Sequence, residues 1–233
     1  MYDGRRIVFV GFSDGRGSAG VNLNADLPAA PAVVLVAVKP QMMADALPTL
    51  QAMGNGETLF VSVAAGTTIG YFESVLGGDT PIVRAMPNTP CLVGEGMSVL
   101  SPGTHAQAAD LDAAESLLAP LGRVLRLDEE HMDAVTGLSA SGPAFVYLII
   151  EALSEGGVMV GLPREVATEL TTQTVLGAAR MVQETGRHPA SLKDDVTTPA
   201  GCTISALLAL EDGRLRSVLA RGVQEAARAA SEL

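Results

Sequence analysis

The first half of the chain alternates short apolar runs with amphipathic stretches. Apolar runs rich in valine are typical of strands covered on both faces, as in a parallel sheet. Such runs occupy residues 6–10, 32–38, 58–65 and 81–87, and residues 97–102 and 122–128 are predicted to be later strands. Helical patterns lie between later runs, at residues 41–53, 67–77 and 106–122. This order predicts an α/β domain with a parallel sheet.

The pattern changes near residue 128, after which the apolar positions recur with a helical period and indicate no strand. Helical patterns cover residues 129–162, 164–186, 204–213 and 214–233, and the polar segment 188–203 is turn-rich. Several of these helices are apolar on more than one face, which predicts burial against another subunit. We therefore expect two domains, residues 1–127 and residues 128–233, of which the second is all-α.

Composition narrows the classes of partner. The 233 residues are 48% hydrophobic, and the net charge of −11 argues against nucleic acid or an anionic membrane as a partner. Cys91 and Cys202 lie far apart and the three histidines are scattered, so we expect neither a disulfide nor a metal site. Glu151 and Glu155 interrupt the most apolar stretch, which argues against a membrane span. Together with an N-terminus that lacks a signal-peptide pattern, these features predict a soluble, cytoplasmic protein.

Three segments carry candidate chemistry. Residues 37–41 and 83–100 lie where predicted strands end, and open α/β sheets bind ligands beyond those ends. In the third segment, residues 192–211, Gly201 precedes a predicted helix whose first turn contains Thr203. Unpaired N–H groups and the helix dipole make such a start suitable for a carboxylate. Thr203 also fits the simpler role of a helix cap.

Five motifs together resemble a known family. The segments AVKP, MPNTP, VGEGM, TGLSASGPAF and TTPAGCT occur in the order and spacing of the Δ1-pyrroline-5-carboxylate reductases. The resemblance runs from about residue 24 to the C-terminus. It implies a Rossmann-like α/β domain followed by an all-α dimerisation domain. It also implies hydride transfer from NADPH, or from NADH, to (S)-1-pyrroline-5-carboxylate to give L-proline in proline biosynthesis.

The resemblance also assigns site residues. Positions matching the family's cofactor site are Asn24, Ala37, Val38, Lys39, Pro40, Val63, Ala64, Ala65, Met86, Pro87, Asn88 and Asp195. Positions matching its substrate site are Glu129, Thr198, Gly201, Cys202 and Thr203. The Thr203 hydroxyl is the predicted catalytic group, since it can exchange a proton with the ring nitrogen. The family forms homodimers that often assemble into a pentamer of dimers.

Two substitutions depart from the family pattern. Asp195 stands where relatives carry asparagine near the cofactor, which adds a negative charge. TPAG replaces the commoner Ser-Pro-Gly-Gly, and Ala200 is expected to be tolerated with a negative φ.

The N-terminal segment departs further. Residues 15–20 spell G-x-G-x-x-G, but they start too late after the run at 6–10 and lead into no helical pattern. Two alignments remain open, with residues 6–10 as the family's first or second strand. The second keeps the later spacings, and it places Ser13 and Arg16 at the adenosine end of the cofactor. Only 36 residues precede Ala37, about half the family's number, so we expect an N-terminally incomplete sheet.

Two other functions remain open. A chain without the glycine-rich loop could be a truncated or non-catalytic paralogue whose helical domain serves oligomerisation. A reductase of another cyclic imine would keep the fold and change the substrate.

Overall fold

The computed structural model describes the backbone of residues 7–10 and the residues 33–38, 42–54, 56–77 and 79–232. The chain forms two compact units, one of residues up to Ser141 together with those from Val223 onward, and one of Gly142–Gly222. This division differs from the predicted boundary at residue 127/128, because Met132 is buried with Met86 and Val99 of the first unit. As a division between functions, the predicted boundary stays a prediction.

The six predicted strands are confirmed and form one sheet in sequence order. They are β1 (Ile7–Val10), β2 (Val33–Val36), β3 (Leu59–Ser62), β4 (Ile82–Met86), β5 (Gly96–Pro102) and β6 (Gly122–Arg126). Every neighbouring pair is parallel except β4 and β5, which are antiparallel. The prediction of a parallel sheet is therefore wrong at this pair. The connection, residues 87–95, is too short for the crossover that parallel strands require.

Helices cover both faces of the sheet. They are α1 (Met43–Met53), α2 (Ile69–Leu76) and α3 (Ala108–Leu118). Val34 and Phe60 pack with α1 and α2 in one cluster, whereas Val61 and Leu100 pack with α3 in another. Because successive strand residues face opposite sides, two covered faces explain why the strands read as continuous apolar runs.

The described chain after β6 is helical. Its elements are α4 (Met132–Val135), a π turn (Thr136–Ala140), α5 (Gly142–Met159), α6 (Arg164–Thr185), α7 (Pro189–Asp195), α8 (Cys202–Asp212) and α9 (Leu215–Ser231). Helix α7 corrects the prediction of a turn-rich segment at 188–203. Its start is stabilised by Pro189 in the first turn and by the His188 ring, which accepts a hydrogen bond from the Ala190 N–H at 3.2 Å.

One helical run in the described chain is long and apolar enough, by length and composition alone, to cross a membrane. It spans Glu129–Met159, and its most apolar window has a mean hydropathy of 1.3 with 6% of its residues buried. Glu151 and Glu155 therefore do not exclude such a span by themselves. The same length and composition also suit a helix covered by other protein.

Candidate functional site

Three loops of the first unit follow strands that end at one edge of the sheet. The register pairs Val36 of β2 with Ser62 of β3, and Ser62 with Arg84 of β4. The three strands are parallel, so their carboxyl ends lie side by side. This edge brings together the predicted cofactor positions Ala37, Val38, Val63, Ala64, Ala65, Met86, Pro87 and Asn88. We call it the sheet edge.

The sheet edge fits a dinucleotide. Ala37 and Ala65 are partly exposed and add only a methyl group each, so a ligand can come close to the backbone there, whereas Ala64 is buried in the core. The first turn after β3 is held by the Val63 N–H, which donates to the Val36 carbonyl at 2.9 Å. It continues into Gly66, whose φ of +72° suits glycine. A fixed loop with small side chains beyond parallel strands is where α/β sheets bind nucleotides.

Asn88 uses its side chain to hold the loop after β4. Its Nδ2 donates to the Ser139 carbonyl at 3.2 Å, and its Oδ1 accepts from the Met97 N–H at 2.9 Å. The amide thus ties the loop to β5 and to the π turn of the same unit. Any contact between Asn88 and a cofactor stays a prediction.

Glu129, a predicted substrate residue, is engaged within the protein. Its Oε1 accepts two hydrogen bonds of 2.8 Å, one from the Ile69 N–H at the start of α2 and one from Arg84 Nη1. Arg84 was not among the predicted site residues. Its signal was an arginine in the middle of an otherwise apolar strand, a position that requires a buried partner.

In the second unit, helix α8 begins without a side-chain cap. Its N-cap residue is Gly201, and no side chain accepts a hydrogen bond there. The first N–H groups of an α-helix lack partners within the helix, so they can bind an anion. Thr203 is half-buried, and its hydroxyl has no hydrogen-bond partner among the described residues. The role of a helix cap is therefore not the one that Thr203 has in this fold.

The turn before α8 closes on itself. The Gly201 N–H donates to the Thr198 carbonyl at 3.1 Å, and a Cβ on Gly201 would overlap Thr198 Oγ1. The structure thus brings Thr198, Gly201, Cys202 and Thr203 together, with Cys202 exposed. It corrects the expectation for Ala200, whose φ is +56°. That left-handed conformation crowds the Cβ of any residue other than glycine.

We expect Ala200→Gly to stabilise the protein. Glycine removes the steric cost of the left-handed conformation, which is about 1–2 kcal/mol. It also raises the entropy of the unfolded chain, which costs about 0.5–1 kcal/mol of stability. The free energy of unfolding should therefore rise by up to about 1.5 kcal/mol in urea titrations at fixed protein concentration. Ala206→Gly, in the middle of α8, is the control and should lower it by about 0.5–1 kcal/mol. A loss of stability in Ala200→Gly would contradict the left-handed turn.

The Asp195 carboxylate forms an ion pair with Arg187. Its Oδ2 lies 2.6 Å from Arg187 Nη1. The hydrogen bond from Arg187 holds the pKa of the Asp195 carboxyl below its usual range. The negative charge at this position therefore has a positive partner in the same unit.

Five predicted cofactor positions lie outside the described residues: Ser13, Arg16, Asn24, Lys39 and Pro40.

Similarity to known proteins covers both units. Residues 129–233 match a family model described as pyrroline-5-carboxylate reductase dimerisation. The chain is 45% identical to a Schizosaccharomyces pombe pyrroline-5-carboxylate reductase, over 92% of this chain and 76% of the relative. It is 48% identical to one from Arabidopsis thaliana, over 86% of this chain and 72% of the relative.

Solved structures show the same similarity. A pyrroline-5-carboxylate reductase from Coxiella burnetii has a TM-score of 0.82 at 38% identity, over 87% of this chain and 76% of that chain. The Plasmodium falciparum pyrroline carboxylate reductase, solved with NADP bound, has a TM-score of 0.78 at 32% identity, over 87% and 77% of the two chains. With this identity along nearly its whole length, the chain belongs to the pyrroline-5-carboxylate reductase family.

Proposed function

We propose that this chain reduces (S)-1-pyrroline-5-carboxylate to L-proline with NADPH, or with NADH, as the electron donor. The observation that carries the proposal is the uncapped start of α8, where free N–H groups adjoin the unpartnered Thr203 hydroxyl. An anion site beside a hydroxyl suits a substrate that has a carboxylate and a basic ring nitrogen. Family membership supports the same reaction.

The roles of the chain's own residues follow from this chemistry. The N–H groups of Cys202 and Thr203 are proposed to hold the substrate carboxylate, and the bond from the Gly201 N–H to the Thr198 carbonyl fixes the turn that presents them. The Thr203 Oγ holds the proton at the ring nitrogen. NAD(P)H, when bound, supplies the hydride. Its binding residues are proposed to be those of the sheet edge, together with Lys39, Pro40, Asn24, Ser13, Arg16 and Asp195.

We further propose a homodimer, assembled as a pentamer of dimers, in the cytoplasm. Exposed apolar side chains on α5 and α6 support a contact between subunits: Leu148 is 65% and Met181 51% exposed in the single chain. Large exposed apolar surfaces mark sites where proteins contact one another. The dimerisation model starts at residue 129, which supports a functional boundary at residue 128. The net charge of −11 supports the absence of nucleic-acid and membrane partners.

Steady-state kinetics with a panel of imines tests the proposal. We expect NADPH oxidation that depends on pyrroline-5-carboxylate, with kcat/KM at least tenfold lower for a six-membered cyclic imine acid, since one extra methylene costs about 1–3 kcal/mol in a fitted pocket. Faster turnover of the six-membered ring would favour a different imine as substrate. Calorimetry that shows no NADPH binding would favour a non-catalytic paralogue.

A further inference from the structure

Arg84 is a buried charge that the proposed chemistry does not use. Its side chain is 5% exposed, and its neighbours Val83 and Ala85 in β4 are fully buried. Among the described residues, its Nε is buried and has no hydrogen-bond partner. Removal of a guanidinium from water is strongly unfavourable and is tolerated only where a partner compensates for it. A hydrophobic residue would serve the core of β4 better, so core packing alone does not explain an arginine here.

The partner of Arg84 joins three elements through a single oxygen. Glu129, which lies between β6 and α4, accepts at Oε1 from Arg84 Nη1 and from the Ile69 N–H, both at 2.8 Å. Ile69 is the first residue of α2, and the Thr68 side chain caps the same helix by accepting from the Tyr71 N–H. We call the contact of Arg84, Glu129 and Ile69 the clasp. It fixes the start of α2 relative to β4.

The clasp holds two elements that adjoin loops of the sheet edge. The loop Val63–Thr68 runs from the end of β3 to the start of α2, which the clasp holds. The loop that begins at Pro87 starts three residues after Arg84 in the same chain. Glu129 itself is 31% exposed at its side chain, so solvent screens the pair only in part. The bond between Arg84 and Glu129 thus connects β4, which precedes one loop, with the start of α2, which follows the other.

We propose that Arg84 is a positioning residue for the dinucleotide, acting through Glu129 to hold the Val63–Thr68 loop in register with the loop after β4. This rests on the proposed function, because it takes the sheet edge as the cofactor site. It gives Glu129 a role that requires no contact with substrate. Misplacement of a binding loop by about 1 Å can change function by orders of magnitude.

The test compares three variants with a matched control. Arg84→Met keeps the length and apolar stem but removes the charge, Arg84→Lys keeps the charge, and Glu129→Gln keeps an oxygen acceptor. The control is Arg126→Met, in β6 of the same unit, where an arginine that is 39% exposed pairs with Asp112 and Glu115, neither of which belongs to the clasp. NADPH affinity is measured by calorimetry below the melting temperature of each variant. Amide hydrogen exchange at Ile69 and Tyr71 reports the start of α2.

We expect the NADPH Kd to rise about tenfold in Arg84→Met and in Glu129→Gln, with partial rescue in Arg84→Lys and no change in Arg126→Met. Exchange at Ile69 should accelerate in both impaired variants. A folded Arg84→Met or Glu129→Gln protein with the wild-type NADPH Kd would overturn the proposal. If Arg84→Met does not fold, the NADPH Kd values of Glu129→Gln and Arg84→Lys decide. Wild-type Kd values in these folded proteins would overturn the proposal.

Other outcomes separate the competing roles. If Glu129 instead contacts the substrate directly, only Glu129→Gln should differ from the wild-type protein, and only in its KM for the imine. That result would overturn the positioning role. A wild-type protein that binds NADPH but does not reduce pyrroline-5-carboxylate would contradict the proposed function, while the Kd series would still decide the role of Arg84. A wild-type protein that does not bind NADPH would overturn both.

Discussion

Replacement of Thr203 by alanine is expected to lower kcat for imine reduction about 100-fold, the lower range for loss of a group that moves a proton in the transition state. The hydroxyl has no hydrogen-bond partner among the described residues, so its removal breaks no bond within the described fold. The N-cap residue of helix α8 is Gly201, and the Thr203 side chain makes no capping hydrogen bond. The loss should therefore appear in kcat, with a change in the urea midpoint no larger than that of an ordinary surface substitution. Steady-state NADPH oxidation with saturating pyrroline-5-carboxylate measures it.

Thr203→Ser is the matched control. It keeps the hydroxyl and removes only the methyl group, so most of the activity should return. Wild-type kcat in Thr203→Ala would remove the hydroxyl from the mechanism. Equal losses in the alanine and serine variants would show that the methyl group, and hence packing, is what matters at this position.

Gly137→Ala is expected to lower the free energy of unfolding by about 2–3 kcal/mol, toward the upper range for overpacking. Gly137 is a buried residue of the π turn. A Cβ there would lie 2.7 Å from the Ala227 N, 2.8 Å from the Val223 carbonyl oxygen and 2.9 Å from the Ala227 Cβ. Two of these atoms are backbone of α9, which cannot move aside as a side-chain end can. The π turn and the end of α9 would have to separate.

Gly70→Ala controls for the general effect of adding a methyl group to a helical glycine. Gly70 lies in α2 of the same unit, and a Cβ there would meet no atom within 4 Å. It should stabilise the protein by about 0.5–1 kcal/mol, the ordinary gain from alanine in a helix. Urea titrations at one protein concentration compare the two. If both variants move the midpoint in the same direction, the close approach of the π turn to α9 is wrong.

Much of the fold could be predicted because two-sided burial leaves a strong pattern in sequence. Val33 and Val34 face opposite sides and are both buried, so the strand reads as a continuous apolar run. The strand direction could not be predicted in the same way. Apolar runs carry no information about orientation, and the antiparallel pairing of β4 and β5 depends on the length of their connection. Helix α7 was missed because its residues are mostly exposed, and its start depends on local caps at His188 and Pro189.

The sheet edge of the first unit and the α8 start of the second could each be predicted in part. The motifs identify the sheet edge and the α8 start, because loops after strands and helix starts have short, recognisable sequences. The partners of Glu129 could not be found this way, since Ile69 and Arg84 are 60 and 45 residues away in sequence. The conformation of Ala200 was also out of reach. A left-handed φ at a residue other than glycine is imposed by the surrounding turn and not by its own side chain.

The most direct test of the reductase assignment follows the transferred hydrogen. The full chain is incubated with pyrroline-5-carboxylate and NADPH that carries deuterium at the transferable C4 position, and the product is analysed by mass spectrometry and NMR. The imine carbon gains a hydride while its ring nitrogen keeps a proton. The expected product is therefore L-proline with one deuterium at C5, with one NADP⁺ formed per proline. Oxidation of NADPH without deuterated proline, or no reaction with a protein shown to be folded, would contradict it.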